Sequence, residues 1–148
     1  KMLFVFFLEH PIWLCSTILA TKKTMQIVQK EFPDIHTKQN KANAFRHALW
    51  NAFVANRCSK SSKNITAVIN WTKKVTDWHE DFSVNEPLAR AMDFHNNRVG
   101  REIFINHSTV LEGEYVELLK EKLKHSIQVF NLEDLEKHQN ELVYIESE

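Results

Sequence analysis

The sequence is poor in glycine and proline, with 2 and 3 residues respectively among 148. Proteins built from many short strands need these residues in their turns, so the composition predicts a mainly helical protein. The sequence also lacks an excess of either charge, since Lys plus Arg and Asp plus Glu both number 19. This balance argues against a protein that coats nucleic acid or binds a membrane surface through basic residues. We therefore expect no nucleic-acid partner.

Cysteine is scarce as well, with Cys15 and Cys58 in unrelated contexts. Neither belongs to a Cys-x-x-Cys pair, which excludes a zinc knuckle and favours two free thiols over a disulfide. No apolar run approaches the roughly 20 residues of a spanning helix, so we expect no transmembrane segment. The apolar run at residues 2–8 is similar to the core of an export signal, but Glu9 interrupts it and no cleavage site follows. We interpret it as part of the folded domain, with a degenerate export signal as the alternative.

The length fits one domain, spanning residues 1–148. Apolar residues at helical spacing predict helices at 11–32, 41–57, 64–80, 86–106 and 111–130. Asn40 and Asn85 are predicted N-caps. Residues 132–140 have a weaker helical pattern, and residues 142–145 favour a strand. The predicted fold is all-α, a compact bundle of about five helices, with a minor strand pair between the two termini (2–8 with 142–145) as a further feature.

Three segments carry polar residues where a helix made only for packing would carry apolar or small ones: 43–51, 77–81 and 93–101. In the last segment, the spacing from Met92 to Val99 places His95 on the buried stripe and Asn96 on its edge. His79 similarly continues an apolar stripe, which predicts a partly buried imidazole. Buried polar groups need partners, so we expect the three segments to meet and form one site.

Gly100 lies mid-helix, where glycine costs about 1 kcal/mol relative to alanine. A crossing helix, or else a ligand, would explain a glycine at this position.

These residue types support acid–base hydrolysis. A neutral imidazole can activate water, a carboxylate can orient it, and amide or guanidinium donors can stabilise an oxyanion or phosphate. The base would be His47 or His95, and replacement of either by alanine is expected to abolish activity. The predicted catalytic residues are His47, His79, Glu80, Asp93 and His95. The predicted substrate-binding residues are Arg46, Asn51, Asn96, Asn97 and Arg101.

A cofactor is not required by this pattern. The zinc-protease spacing His-Glu-x-x-His is absent after His79, so no metal ligands are predicted. A zinc or manganese site assembled across helices from the same histidines and acids stays geometrically open. The alternative to an enzyme is a non-catalytic protein-binding module, in which the His, Asn and Asp residues form a buried structural network. Solvent access to the polar residues distinguishes the enzyme from the binding module, since catalysis needs a site connected to solvent.

The polar segments together resemble a bacterial family of small helical domains of unknown function. The resemblance lies in Asn43–Ala52 (Asn-Ala-Phe-Arg-His-Ala-Leu-Trp-Asn-Ala), in His79-Glu80, and in Met92–Arg101 (Met-Asp-Phe-His-Asn-Asn-Arg-Val-Gly-Arg), within a core at residues 8–106. Trp78 departs from the small residue, and Phe94 from the aliphatic residue, of the family pattern. Members are often parts of secreted, toxin-like proteins. The resemblance therefore implies an antibacterial effector with a hydrolase-like site for a lipid, cell-wall or phosphodiester substrate. It also implies a cognate immunity or carrier protein, and secretion or delivery by a specialised system, with a cytoplasmic location as the alternative.

Overall fold

The computed structural model describes residues 2–34, 38–82 and 84–147. Its helices are α1 Met2–Glu9, α2 Pro11–Glu31, α3 Lys41–Ser59, α4 Ile65–Asp81, α5 Pro87–Asn106, α6 Glu114–Lys124 and α7 Leu132–Lys137. Two short strands, β1 Ile127–Gln128 and β2 Val143–Tyr144, form a parallel pair. The all-α prediction is confirmed, and the predicted bounds of α2 to α5 hold to within two residues.

Local sequence explains where these central helices begin. The side chain of Asn40 accepts a hydrogen bond from the backbone N–H of Asn43, as predicted for an N-cap. Asn64 does the same for Ala67 at the start of α4. Pro11 and Pro87 begin α2 and α5, where the missing proline N–H costs no helical hydrogen bond.

The predicted strand pair between the termini is wrong. Residues 2–9 are helical, and Phe6 lies edge-on to Trp71 and Trp78 with ring centroids 5.5 and 5.4 Å apart. The helix therefore buries its own aromatic side chain without a strand partner. β2 pairs instead with β1, in the register Ile127 with Val143.

Two further boundaries differ from the prediction. The helix expected at 111–130 is shorter, because α6 ends at Lys124 and Ile127 packs in a small second core with Met92 and Val143. Asn85 does not cap α5; its side-chain amide donates to the Asp93 carboxylate at 3.2 Å. A tertiary partner thus outcompetes the local cap.

Helix α3 lies at the centre of the bundle, in contact with α2, α4, α5 and α6. Its alanines at 44, 48, 52 and 55 are fully buried, and such small side chains allow close approach of neighbouring helices. The polar residues of α3 are consequently surrounded by other helices. Among the described residues, no helix combines the length and apolar character needed to cross a membrane.

Candidate functional site

Three buried ionisable side chains meet at the centre of the bundle, one from each of α3, α4 and α5. His47 is 3% exposed, Glu80 1% and Asp93 2%. The Nδ1 atom of His47 lies 3.3 Å from Oε1 of Glu80, and its Nε2 atom lies 3.3 Å from Oδ1 of Asp93. The prediction that the three polar segments meet is confirmed for these residues, which we call the His47 centre.

A chain of amides fixes the orientation of the His47 ring. Arg101 can only donate, and its Nη1 donates to Oδ1 of Asn51 at 2.9 Å. The Asn51 amide nitrogen therefore points the other way, donating to the His47 backbone carbonyl at 3.0 Å and to Oδ1 of Asn97 at 2.8 Å. Asn97 thus presents its oxygen to Nδ1 of His47, 3.0 Å away.

It follows that Nδ1 carries the proton of the neutral imidazole and Nε2 carries the lone pair. An acceptor oxygen at 3.0 Å from Nδ1 requires a donor there. On the other side of the ring, Nη2 of Arg46 donates to Nε2 at 3.2 Å. The donor-only guanidinium of Arg101 thereby determines, through two amides, which nitrogen of His47 can accept a proton.

Burial determines the protonation of the centre. Desolvation, assisted by the positive charge of Arg46, lowers the pKa of His47 to about 3. Desolvation and the neighbouring Glu80 carboxylate raise the pKa of Asp93 to about 8. Burial also raises the pKa of Glu80, against the effect of the Arg46 charge. Near neutral pH, the ring is uncharged and the carboxyl pair retains a proton.

A cavity of about 260 Å³ reaches His47 between α2, α3 and α4. Its lining residues are Thr21, Thr24, Met25, Arg46, His47, Trp50 and His79. Arg46, which contacts Nε2 of His47, lines the same cavity. The carboxyl groups of Glu80 and Asp93 are not among the lining groups. The cavity therefore gives access to the imidazole rather than to the acids.

His79 belongs to the cavity rather than to the His47 centre. Its ring stands edge-on to Trp50, with centroids 5.3 Å apart, and the residue as a whole is exposed while part of it is buried. Partial desolvation and the charge of Arg46 lower its pKa. As neighbours on a helix, His79 and Glu80 point in different directions, which separates the exposed ring from the buried carboxylate.

His95 and Asn96 hold the C-terminal segment instead of joining the centre. His95 Nε2 lies 2.8 Å from the carbonyl oxygen of Glu141 and donates to it. The Asn96 side chain donates to the carbonyl of Val143 at 2.9 Å and accepts from its N–H at 3.0 Å. Burial lowers the pKa of His95, which keeps the imidazole neutral while it donates.

The sequence did not identify three threonines that belong to the site. Thr76 Oγ1 donates to Oδ1 of Asn51 at 3.0 Å, the same oxygen that Arg101 contacts. Thr21 and Thr24 line the cavity from α2, and Thr21 accepts from the Trp50 indole at 2.8 Å. All lie at ordinary helical positions without a recognisable motif, so their role depends on helix packing.

The His47 centre is also the one group of described residues whose donor atoms could hold a metal ion. One donor atom each from His47, Glu80 and Asp93 all lie within 4.8 Å of one another. One imidazole and two carboxylates form a donor set that suits zinc or manganese.

The chain belongs to the DUF6973 family, a domain of unknown function whose model matches residues 4–127. The match begins within α1 and covers α2 to α6 in full, and so includes every helix that contributes to the His47 centre and its cavity. No curated protein and no solved structure matches the chain. The expectation of an uncharacterised domain family is thus confirmed, while the activity has to be argued from the site.

Proposed function

We propose that this domain is a hydrolase in which His47 activates water at the inner end of the cavity. The observation that supports this most directly is the geometry of His47. Its unprotonated Nε2 lies 3.2 Å from Arg46, both residues line the cavity, and its other nitrogen is held by Asn97. A base, a fixed tautomer and an adjacent cation are the components that acyl or phosphoryl hydrolysis requires.

The reaction can be written with the groups present. Arg46 first turns from Nε2 toward the substrate, which frees the lone pair and removes one cause of the lowered pKa of His47. Nε2 of His47 then takes a proton from water as the water oxygen attacks a carbonyl carbon or a phosphorus atom, and Arg46 stabilises the charge that develops on the attacked oxygen. The bond to the leaving group then breaks, and the proton on Nε2 passes to that group. Glu80, 3.3 Å from Nδ1, stabilises the imidazolium formed between these steps.

The cavity favours a substrate with an anionic group next to an apolar part. Arg46 offers a guanidinium, which binds phosphate or carboxylate well. Met25 and Trp50 offer apolar surface, and Thr21 and Thr24 also line the cavity. Lipid esters, cell-wall components and phosphodiesters all combine such features. The proposed setting, a secreted antibacterial effector with a cognate immunity or carrier protein, rests on the family resemblance of the sequence motifs.

A second candidate function is a non-catalytic protein-binding module. The observation in its favour is burial: Asn51 and Asn97 are fully buried and His47 is 3% exposed. Such a network can specify helix packing without any chemistry. The cavity and the exposed His79 beside it are what favour the enzyme over this alternative.

The two functions are separated by expressing the chain in bacteria, in the cytoplasm and in the periplasm. The parent is compared with His47→Ala, His95→Ala and the surface control His125→Ala at matched soluble levels. A hydrolase predicts growth inhibition that His47→Ala removes and His125→Ala retains, and the sensitive compartment indicates the substrate. Lipid and cell-wall extracts incubated with purified protein would then show the product.

His95→Ala tests the prediction from the sequence that His95, like His47, is required for activity. Because His95 contacts the Glu141 carbonyl, we expect it to affect activity only through the C-terminal segment. Equal toxicity of the parent and a folded His47→Ala variant would contradict the proposal. An absence of toxicity and of hydrolysis for all the folded proteins would favour the binding module.

A further inference from the structure

Two buried carboxyl oxygens at the His47 centre have no hydrogen-bond partner. They are Oε1 of Glu80 and Oδ1 of Asp93. Both residues are at most 2% exposed, and both oxygens point toward the His47 ring at 3.3 Å. A buried carboxyl oxygen without a donor is costly. The proton that the pair retains near neutral pH can lie on only one of the two carboxyl groups at a time, whereas a cation between the two oxygens would satisfy both.

The imidazole between these oxygens is already arranged as a metal ligand. Its Nδ1 is held by Asn97 Oδ1 at 3.0 Å, which leaves the lone pair on Nε2. Metal-binding histidines commonly donate their second ring N–H to such an oxygen, which fixes the ring and the tautomer. Asn51 and Arg101 support Asn97 in turn. The outer layer of a metal site is therefore present in the network.

The distances also fit a cation. Zinc lies about 2.0 to 2.2 Å from nitrogen and oxygen ligands, so neighbouring ligands of a tetrahedral ion are roughly 3.3 to 3.5 Å apart. Nε2 of His47 and Oδ1 of Asp93 are 3.3 Å apart. Oε1 of Glu80 lies 3.3 Å from Nδ1 of the same ring, and one donor atom from each of the three residues lies within 4.8 Å of the other two. A small movement of the Glu80 side chain would complete the set.

We propose that His47, Glu80 and Asp93 bind one divalent transition-metal cation, with zinc or manganese as the ions that suit the donor set. Nε2 of His47 and one oxygen from each carboxylate are the protein ligands. Arg46 moves out into the cavity when the cation takes its place beside Nε2. The remaining position of a catalytic site belongs to water.

The catalytic consequence of this inference rests on the proposed hydrolase and replaces one part of it. With a cation bound, His47 would be a ligand rather than the base, and the cation would supply the activation of water that is otherwise assigned to His47. Metal binding can be measured without any substrate, so it can fail while hydrolysis stands, and hydrolysis can fail while the metal binds.

The test uses purified protein treated with a chelator and then dialysed against Zn²⁺ or Mn²⁺, with bound metal measured by elemental analysis. We expect one equivalent per chain and a rise in the melting temperature on binding. The test variants are Asp93→Asn and Glu80→Gln, which keep the side-chain volume while removing a charge. The matched control is Glu112→Gln, which removes a carboxylate that pairs with Arg57 away from this site.

Both test variants are expected to weaken binding by more than the roughly 10- to 100-fold cost of losing an outer-layer partner, while the control binds as the parent does. A second measurement needs no variant. Mn²⁺ should broaden the ring resonances of His47 before those of His125, whose side chain is 76% exposed beside Glu121.

Binding that is unchanged in both carboxylate variants, or broadening that begins at His125, would overturn the proposal. So would an absence of stoichiometric binding by the folded parent. In those cases, the two carboxyl groups share a proton instead of a metal.

Discussion

Gly100 of α5 packs directly against the backbone of Ala48 in α3. A methyl group at Gly100 would lie 2.2 Å from the Ala48 carbonyl oxygen and 2.7 Å from its Cα. The glycine therefore marks a helix crossing, the explanation that the sequence favoured, and not a ligand contact. Since His47 adjoins Ala48, and Asn97 lies one turn before Gly100, this close crossing also sets the 3.0 Å distance between Nδ1 of His47 and Asn97.

Gly100→Ala is expected to destabilise the fold. The added Cβ meets backbone, which cannot rotate away, so the two helices must separate. Overpacking of this kind costs about 1 to 3 kcal/mol, which corresponds to roughly 2 to 4 °C of melting temperature per kcal/mol for a chain of this size. Gly113→Ala is the control, because a Cβ at Gly113 meets nothing within 4 Å. Equal melting temperatures for the two variants would contradict the crossing.

In metal-free protein, His47 is expected to be neutral with its proton on Nδ1. Because burial lowers its pKa to about 3, the folded state binds fewer protons than the unfolded state between about pH 6.5 and pH 3. The titration of His47 therefore leaves the free energy of unfolding unchanged above about pH 6.5 and lowers it as the pH falls through that range. Nitrogen-15 chemical shifts of the ring, followed from pH 7 to pH 4, check its charge and tautomer, and denaturant unfolding over the same range checks the stability.

The tautomer of His47 should depend on Asn51, although the Asn51 side chain donates to the backbone carbonyl of His47 and to Asn97 rather than to the imidazole. Asn51→Ala removes the donor that turns the oxygen of Asn97 toward Nδ1. We expect the variant to populate both tautomers, whereas Asn140→Ala, an exposed asparagine, leaves the nitrogen shifts unchanged. A ring protonated at pH 5 would contradict the lowered pKa of His47, and an unchanged tautomer in Asn51→Ala would show that the amide chain does not control which nitrogen carries the proton.

Asn96→Ala is expected to loosen the C-terminal segment without unfolding the bundle. It removes one hydrogen bond to the Val143 carbonyl and one from the Val143 N–H, and each buried backbone group left unpaired costs about 1 to 3 kcal/mol. The Val143 amide should exchange with deuterium faster, and proteases should cut after residue 137 sooner. Amides of α3 serve as the internal reference. Unchanged exchange at Val143 would contradict the role assigned to Asn96.

The two cysteines are expected to differ sharply in reactivity. Both are free thiols; Cys15 is exposed and Cys58 is fully buried. Burial raises the pKa of Cys58 to about 12, so the thiolate that reacts with alkylating reagents is scarce as well as inaccessible. One thiol should react in the native protein and both after denaturation. Two equally fast thiols in the native state would show that α2 and α3 do not pack as described.

Much of the local structure follows from the sequence. Asn40, Pro11 and Pro87 fix the starts of three helices through bonds or ring geometry within one turn, so the sequence alone predicts them. The polar segments 43–51, 77–81 and 93–101 are also predictable from the sequence, because they depend only on residue types and helical spacing within each segment. Helical periodicity determines which side chains share a face of a helix, and this periodicity does not depend on the rest of the chain.

The tertiary structure decided which of those polar residues act together. The sequence predicts His47 and His95 equally well as the catalytic base. In the structure, His47 lies beside two carboxyl groups and a cavity, whereas His95 donates a hydrogen bond to the Glu141 carbonyl. The difference arises because the crossing at Gly100 and Ala48 sets how α3 and α5 face each other, and because the C-terminal segment occupies the other side of α5. Both are contacts between residues far apart in the chain, whose geometry depends on packing rather than on local spacing. The sequence by itself determined the helices and their polar faces. Only the packing of α3, α4 and α5 determined that His47, Glu80 and Asp93 lie together at one buried site.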